Sequence, residues 1–205
     1  MITLSLCMII KDEELVLDRC LKSIYDAVDE IIIVDTGSTD NSKNICKNYT
    51  ENIYDYIWND DFSAARNFSF EKATKDYILW LDADEIIDEE NKEKLLNLKQ
   101  VLSLDIDVVT MHTCMNIDEC NNPQITMVRN RIVKREDNFK WIGFVHEYIE
   151  ASGNVYDSDI CIIHDKVKPV SDRNLKIYKK KVEEKEIIYA PIDEQPITET
   201  LEQNY

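Results

Sequence analysis

The 205 residues carry 24 Lys and Arg against 41 Asp and Glu, a formal net charge of −17. A polyanion would have to bind against that field, which argues against nucleic acid or an anionic membrane as partner, and no apolar run reaches the length of a membrane span. Only three glycines occur (Gly37, Gly143, Gly153) where average usage gives roughly fourteen, so the chain holds no glycine-rich loop to cradle phosphates.

Ile2 to Ile10 alternates and then runs apolar, which predicts a strand. Asp12 is placed to cap a helix that carries Leu15, Leu17, Leu21 and Ile24 inward. Glu30 to Val34 predicts a strand buried on both faces, closed by the polar turn Asp35 to Asn41. A short helix through Ile45 and Cys46, a strand from Ile53 to Trp58 and a helix from Phe62 to Ala73 follow. Tyr77 to Leu81 is a fourth apolar strand, ending at Asp82. This alternation is that of an α/β protein with a mainly parallel central sheet flanked by helices.

Beyond Glu85 the pattern changes. Asn91 to Gln100 is a polar helix with Leu95, Leu96 and Leu98 on it, and β-rich pieces follow at Val108–Cys114, Ile125–Val133, Phe144–Ile149 and Ile160–His164. Past Pro169 come a charged helix, Asn174 to Lys181, and a tail containing Pro and Glu. The expected organisation is one domain over 1–168, with a nucleotide-binding half (1–100) and an acceptor and metal half (101–168). Residues 169–205 are expected to form a helical extension, either a linker or the cut start of something longer.

The six cysteines (Cys7, Cys20, Cys46, Cys114, Cys120, Cys161) form no Cys-x-x-Cys pair, and several lie in apolar surroundings. Buried free thiols are expected in place of a disulfide framework or a zinc site. The N-terminus shows no basic region and cleavage site of a signal peptide. Together these features point to a cytoplasmic protein.

In an open parallel sheet, ligands sit outside the carboxyl ends of the strands. Four polar segments converge there: Lys11 to Glu14, Asp35 to Asp40, Asn59 to Asp61 and Asp82 to Glu85. Asp82, Asp84 and Glu85 place several negative charges at the rim of a core, where they repel unless a cation offsets them. Mg²⁺ or Mn²⁺ would do so and would also hold phosphates. Asp35 offers a fixed acceptor for the imide N–H of a uracil. Arg66 stands before the Asp82 strand, where it meets a base, a phosphate or one of the nearby acids.

Leu6 to Glu14, Ile33 to Asp40, Ala65-Arg66-Asn67 and Leu81-Asp82-Ala83-Asp84-Glu85 resemble, in order and spacing, the blocks of a family 2 glycosyltransferase. In detail they resemble its bacterial branch, in which the catalytic domain is often followed by tetratricopeptide repeats. The resemblance implies a GT-A fold, a nucleotide-sugar donor, in all expectation UDP-linked, and inversion at the anomeric carbon. It places Lys11, Glu13, Asp35, Arg66 and Asp82 in the donor site and makes Asp82 and Asp84 the Asp-x-Asp pair at metal and diphosphate. Trp141 to Glu147 resembles the family's Gly-x-Val-His-Glu block and Ile162 to Asp165 its later histidine. Glu147 is then the candidate base that deprotonates the acceptor, and His164 completes the metal shell. His146 either orients Glu147 or lines the acceptor side, and His112 is structural. Glycan, protein and peptide acceptors all remain open. A sugar nucleotidyltransferase is the rival enzyme, although Leu6 to Glu14 has neither the glycines nor the basic residues of one. A non-catalytic metal- or nucleotide-sugar-binding module is the rival from another class.

Overall fold

Leu4–Ile10 (β1) and Glu30–Asp35 (β2) pair in parallel at the centre of the fold, with Ile10 opposite Asp35. The computed structural model describes residues 1–117, 123–165 and 172–184. β2 continues the parallel run to Ile53–Asp55 (β3), and β1 continues it on its other side to Tyr77–Trp80 (β4). Pro123–Lys134 (β7) runs antiparallel to β4 and to Val108–Ile117 (β6). Val155–His164 (β10) lies parallel to β6, and Glu85–Ile86 (β5) closes the edge antiparallel to it. The resulting eight-stranded order is β3-β2-β1-β4-β7-β6-β10-β5. Lys140–Ile142 (β8) and Tyr148–Glu150 (β9) form a separate two-stranded ribbon.

The helices follow from spacing and caps. Leu17–Ile24 (α1) buries Leu17, Cys20, Leu21 and Ile24, the i, i+3, i+4, i+7 set. Ser42–Cys46 (α2) is a short turn of helix. Phe62–Glu71 (α3) opens on Asp61, whose side chain accepts the Ala64 N–H, and Glu89–Val101 (α4) opens on Asp88, which accepts that of Asn91. Glu89 and Glu90 add charge that suits a helix N-terminus. Leu4, Leu6, Met8, Leu17, Leu21, Ile33, Leu79 and Leu81 are within 0–1% of complete burial and join α1, α4 and the sheet in one core. Each such side chain contributes about 1.5–3 kcal/mol relative to exposure. The chain divides into two compact units, Met1–Val170 and Ser171–Tyr205. In the second, Arg173–Glu183 (α5) forms the charged helix read from the sequence.

Several expectations need correction. Asp12 does not cap α1, which starts at Leu17 without a side-chain cap. Asp12 instead adopts a left-handed conformation, with φ 51°, and accepts the Thr39 N–H at 2.7 Å, tying the β1 loop to the β2 loop. Leu15, expected inward, is exposed because it precedes the helix. Leu96 also lies largely outside, since Leu95 and Leu98 take the core face of α4. The third strand stops at Asp55, leaving Ile57 exposed, and the expected strand Phe144–Ile149 begins only at Tyr148.

Cys114 and Cys161 are not free thiols. They sit on the adjacent strands β6 and β10, with Cα atoms 6.1 Å apart, and form a disulfide. Strand register brings them together across 47 residues of sequence, a proximity that no local spacing announces. Cys7, Cys20 and Cys46 are free and buried as expected; Cys120 lies outside the described residues. The disulfide removes the thiol-based argument for a reducing compartment. Among the described residues, no helix is long and apolar enough to cross a membrane.

Candidate active site

The carboxyl ends of β1 and β2 are stitched together by short polar contacts. Lys11 donates through Nζ to the Gly37 carbonyl at 2.6 Å. The Asp12 and Glu13 amides donate to the hydroxyls of Ser38 and Ser42, and the Glu13 carbonyl accepts the N–H of Leu17 as α1 begins. Asp35, 1% exposed, accepts the Ser38 N–H at 3.0 Å, with Lys43 Nζ 3.9 Å away. Lys11, Glu13 and Asp35 thus share one loop system. A carboxylate has about four acceptor directions, so the Ser38 amide does not exhaust Asp35. The Asp12 carboxyl is held below its ordinary range, chiefly by the Thr39 amide.

A second cluster forms beside it. β4 ends at Trp80, and the chain turns sharply through Asp82–Ala83–Asp84, closed by the Glu85 N–H donating to the Asp82 carbonyl at 3.1 Å. From α3, Arg66 reaches this turn. Its Nη2 donates to Asp82 Oδ1 and its Nε to Glu147 Oε1, both at 2.7 Å. The guanidinium lies 5.1 Å from the ring centroid of Trp80 and 4.7 Å from that of Trp141. Burial works against the Arg66 charge, but the two carboxylates hold it in the charged form. Loss of water around Asp82 likewise opposes its ionisation. The Arg66 charge and hydrogen bond outweigh that, with Arg131 and His164 adding to them, and keep the Asp82 carboxyl below its usual range.

Glu147 arrives on a tight turn. Gly143 has φ 103° and His146 φ 56°, so the backbone passes twice through the left-handed region between β8 and β9. The Phe62 N–H donates to the Phe144 carbonyl at 3.1 Å, and Asn67 exchanges two hydrogen bonds with the Trp141 backbone, at 2.9 and 3.0 Å. α3 therefore supports the Glu147 turn and supplies the cation that holds its carboxylate. His146 belongs to this turn. His112 is half-buried on β6, and its Nδ1 has no hydrogen-bond partner among the described residues.

Asp84 and His164 form the remaining pair, with Nε2 3.4 Å from Oδ2. Backbone pairing sets Glu85 opposite His164, and the Asp165 N–H donates to the Asp84 carbonyl at 2.9 Å. Among the described residues no three His, Cys, Asp or Glu side chains gather as a ready metal cage. Asp84 and His164 still present an oxygen and a nitrogen to one point, each with just under a third of its side chain exposed, while Asp82 is turned toward Arg66. That donor set fits Mn²⁺ or Mg²⁺, ions held by few protein ligands together with substrate phosphates.

The sequence reading named Arg66, Asp82, Asp84, Glu147 and His164 for the site, and the five side chains lie in one region. It missed Trp80 and Trp141 as walls for Arg66, and Arg131, which lies fully buried beneath the turn. Trp80 lies on the fourth apolar strand and Trp141 opens the segment Trp141 to Glu147, but nothing in their spacing reveals that they face one guanidinium.

The Glycosyl transferase family 2 model matches residues 5–153. The glycosyltransferase SunS of the SPbeta prophage in Bacillus subtilis is 33% identical over 148 residues, 71% of this chain and 34% of SunS. A TPR repeat-containing protein of Synechococcus elongatus is 51% identical over 85 residues, 42% of this chain and 21% of that protein. The chain thus matches about a fifth to a third of the length of these curated relatives. Among solved structures, glucosyl-3-phosphoglycerate synthase from Mycobacterium tuberculosis, in complex with Mn²⁺ and UDP-glucose, superposes with a TM-score of 0.60 at 13% identity, over 92% of this chain and 81% of that one. S. aureus TarS in complex with UDP-GlcNAc gives 0.53 at 14% identity, over 87% and 65%. The mostly parallel sheet flanked by helices is the GT-A fold of these neighbours. With the family model spanning most of its length, the chain belongs to glycosyl transferase family 2.

Proposed function

We propose that the protein transfers a sugar from a nucleoside-diphosphate donor, UDP-linked, to a glycan, protein or peptide acceptor, with inversion at the anomeric carbon and with Mn²⁺ or Mg²⁺. The observation that carries this reading is the single Arg66 guanidinium joining Asp82, on the donor side, to Glu147 on the acceptor side. The donor-side roles rest on position at the strand ends. Asp35 accepts from the base, Lys11 and Glu13 shape the loop beside it, and Asp82 and Asp84 face the diphosphate. Glucosyl-3-phosphoglycerate synthase and TarS, whose fold this chain shares, hold UDP-sugars, which supports the uridine reading.

Asp84 and His164, with Asp82 beside them, would hold the divalent ion. Bound there, it supplies positive charge to the departing diphosphate. In the transfer step the acceptor hydroxyl or thiol attacks the anomeric carbon as the bond from that carbon to the diphosphate oxygen breaks. The acceptor proton passes to Glu147, and the nucleoside diphosphate leaves with the bonding pair. Arg66 holds the Glu147 carboxylate in place until the acceptor arrives.

The test is a panel of nucleotide sugars with Mn²⁺, run on the wild type and on Glu147→Gln. Wild type is expected to release nucleoside diphosphate from one donor. The variant is expected to bind that donor equally well and transfer about 10²–10⁴-fold more slowly. Release of pyrophosphate in place of nucleoside diphosphate would make the protein a nucleotidyltransferase. Full transfer by Glu147→Gln would remove the base.

A further inference from the structure

Arg131 lies under the acidic turn, and the transfer reaction does not explain it. It is 0% exposed, on β7, and cannot touch a substrate. Its Nη1 donates to Glu85 Oε2 at 2.7 Å and its Nη2 to Glu85 Oε1 at 2.5 Å, a two-point grip on a carboxylate that is itself 2% exposed. Nη2 also donates to Thr113 Oγ1 at 2.7 Å, and the guanidinium lies 3.9 Å from the ring centroid of Trp80.

Glu85 passes this fixation to the site in two directions. Its Oε2 accepts the Asp82 N–H at 2.9 Å while its own N–H donates to the Asp82 carbonyl, so the Asp82–Glu85 turn is closed at both ends by one residue. The Cys20 thiol donates to the same Asp82 carbonyl at 3.5 Å. Through its backbone, Glu85 pairs with His164. The side chain thus sets Asp82 and the main chain sets the partner of Asp84.

Taking two charges out of water is costly, and apolar replacements of such pairs are often as stable or more so. Stability alone therefore gives little reason for a fully buried Arg–Glu pair, whereas geometry does. We propose that Arg131 and Glu85 are positioning residues, a buried strut that fixes the orientation of the Asp82–Asp84 turn and of His164 for donor binding. The donor-binding part rests on the transferase reading.

The experiment compares wild type with the double variant Glu85→Met/Arg131→Met and with Arg131→Lys. The double variant is expected to fold with a melting temperature at or above that of wild type. In donor-free, metal-free protein its Asp82 amide should exchange with solvent at least tenfold faster by NMR, with β1 and β2 amides unchanged. Its donor KM should rise at least tenfold, with a smaller effect on kcat, and Arg131→Lys should fall between. A double variant that cannot fold makes the pair a stability element and overturns the proposal. So does wild-type Asp82 exchange in either variant, or a wild-type donor KM in both. Because amide exchange needs no turnover, it judges the strut even if wild type releases no nucleoside diphosphate, a result that would count against the transferase reading alone.

Discussion

Arg66 is one cation between two carboxylates and two indoles, and its removal has consequences that reach beyond catalysis. Asp82 is held below its ordinary value chiefly by that charge, against the cost of its lost hydration. A carboxyl lowered in the folded state adds stability in full above the unfolded value, near 3.9, and that stability is lost as pH falls through the folded value. Arg66→Met leaves the Asp82 and Glu147 carboxylates without their shared partner. The variant is expected to lose about 3 kcal/mol at neutral pH, mainly from the buried Glu147, since the Asp82 side chain is 39% exposed and its pairing is partly screened by water. Its acid-unfolding midpoint should move to higher pH, because the Asp82 carboxyl no longer resists protonation. Circular dichroism from pH 7 to 2 measures both, and a wild-type acid midpoint would show that Arg66 does not set the charge of Asp82. The same residue marks where sequence reading stops. Arg66 was legible as a cation near the site, but its choice of two acids 16 and 81 residues away is a product of the fold.

At the scale of elements, the runs that depend on burial were readable and the segments that depend on backbone conformation were not. β1, β2 and β4 announce themselves because both faces are covered, so their sequences are uninterrupted by charge. The stretch from Phe144 to Glu147 opens on two apolar residues but is turn, because Gly143 and His146 take positive φ and Phe144 is held by the start of α3. Hydrophobic pattern carries no information about such a turn, although Gly143, one of three glycines, was a clue to it. Gly143 has room for a methyl group, since an added Cβ would meet only ordinary contacts at 3.6 Å or more. Its φ of 103° is the obstacle. Gly143→Ala is therefore expected to cost about 1–3 kcal/mol of stability and to displace Glu147. Transfer should fall while donor binding stays at the wild-type level, as read by thermal unfolding, steady-state kinetics and calorimetry. A variant with reduced stability but unchanged transfer would mean that the turn merely connects β8 and β9.

Across the whole molecule the question is how a chain of net charge −17 would receive the diphosphate of the proposed donor. The cations at the strand ends are already engaged: Lys11 with the Gly37 carbonyl, Lys43 with Asp55 and Asp35, Arg66 with Asp82 and Glu147, Arg131 with Glu85, and Arg19 with Asp165. The acidic segments at the ends of β1, β2 and β4 face the same edge, and a phosphate charge about 5 Å from one carboxylate is opposed by roughly 3 kcal/mol at an effective dielectric constant of 20. One uncompensated contact of that size weakens binding by about a hundredfold. Chelation of divalent ions is therefore expected to weaken binding of the nucleotide-sugar donor at least a hundredfold, measured by calorimetry in Mn²⁺ and in EDTA. The salt response separates this cause from a loss of shape. Where repulsion limits binding, added salt screens it, so affinity in EDTA should rise between low and physiological ionic strength. In saturating Mn²⁺ the repulsion is already offset, and the same change in salt should leave affinity flat or slightly lower. Equal affinity with and without metal would mean that the paired arginines and lysines release their carboxylates to meet the diphosphate, and the charge balance of the site would then be the reverse of the one drawn from its resting geometry.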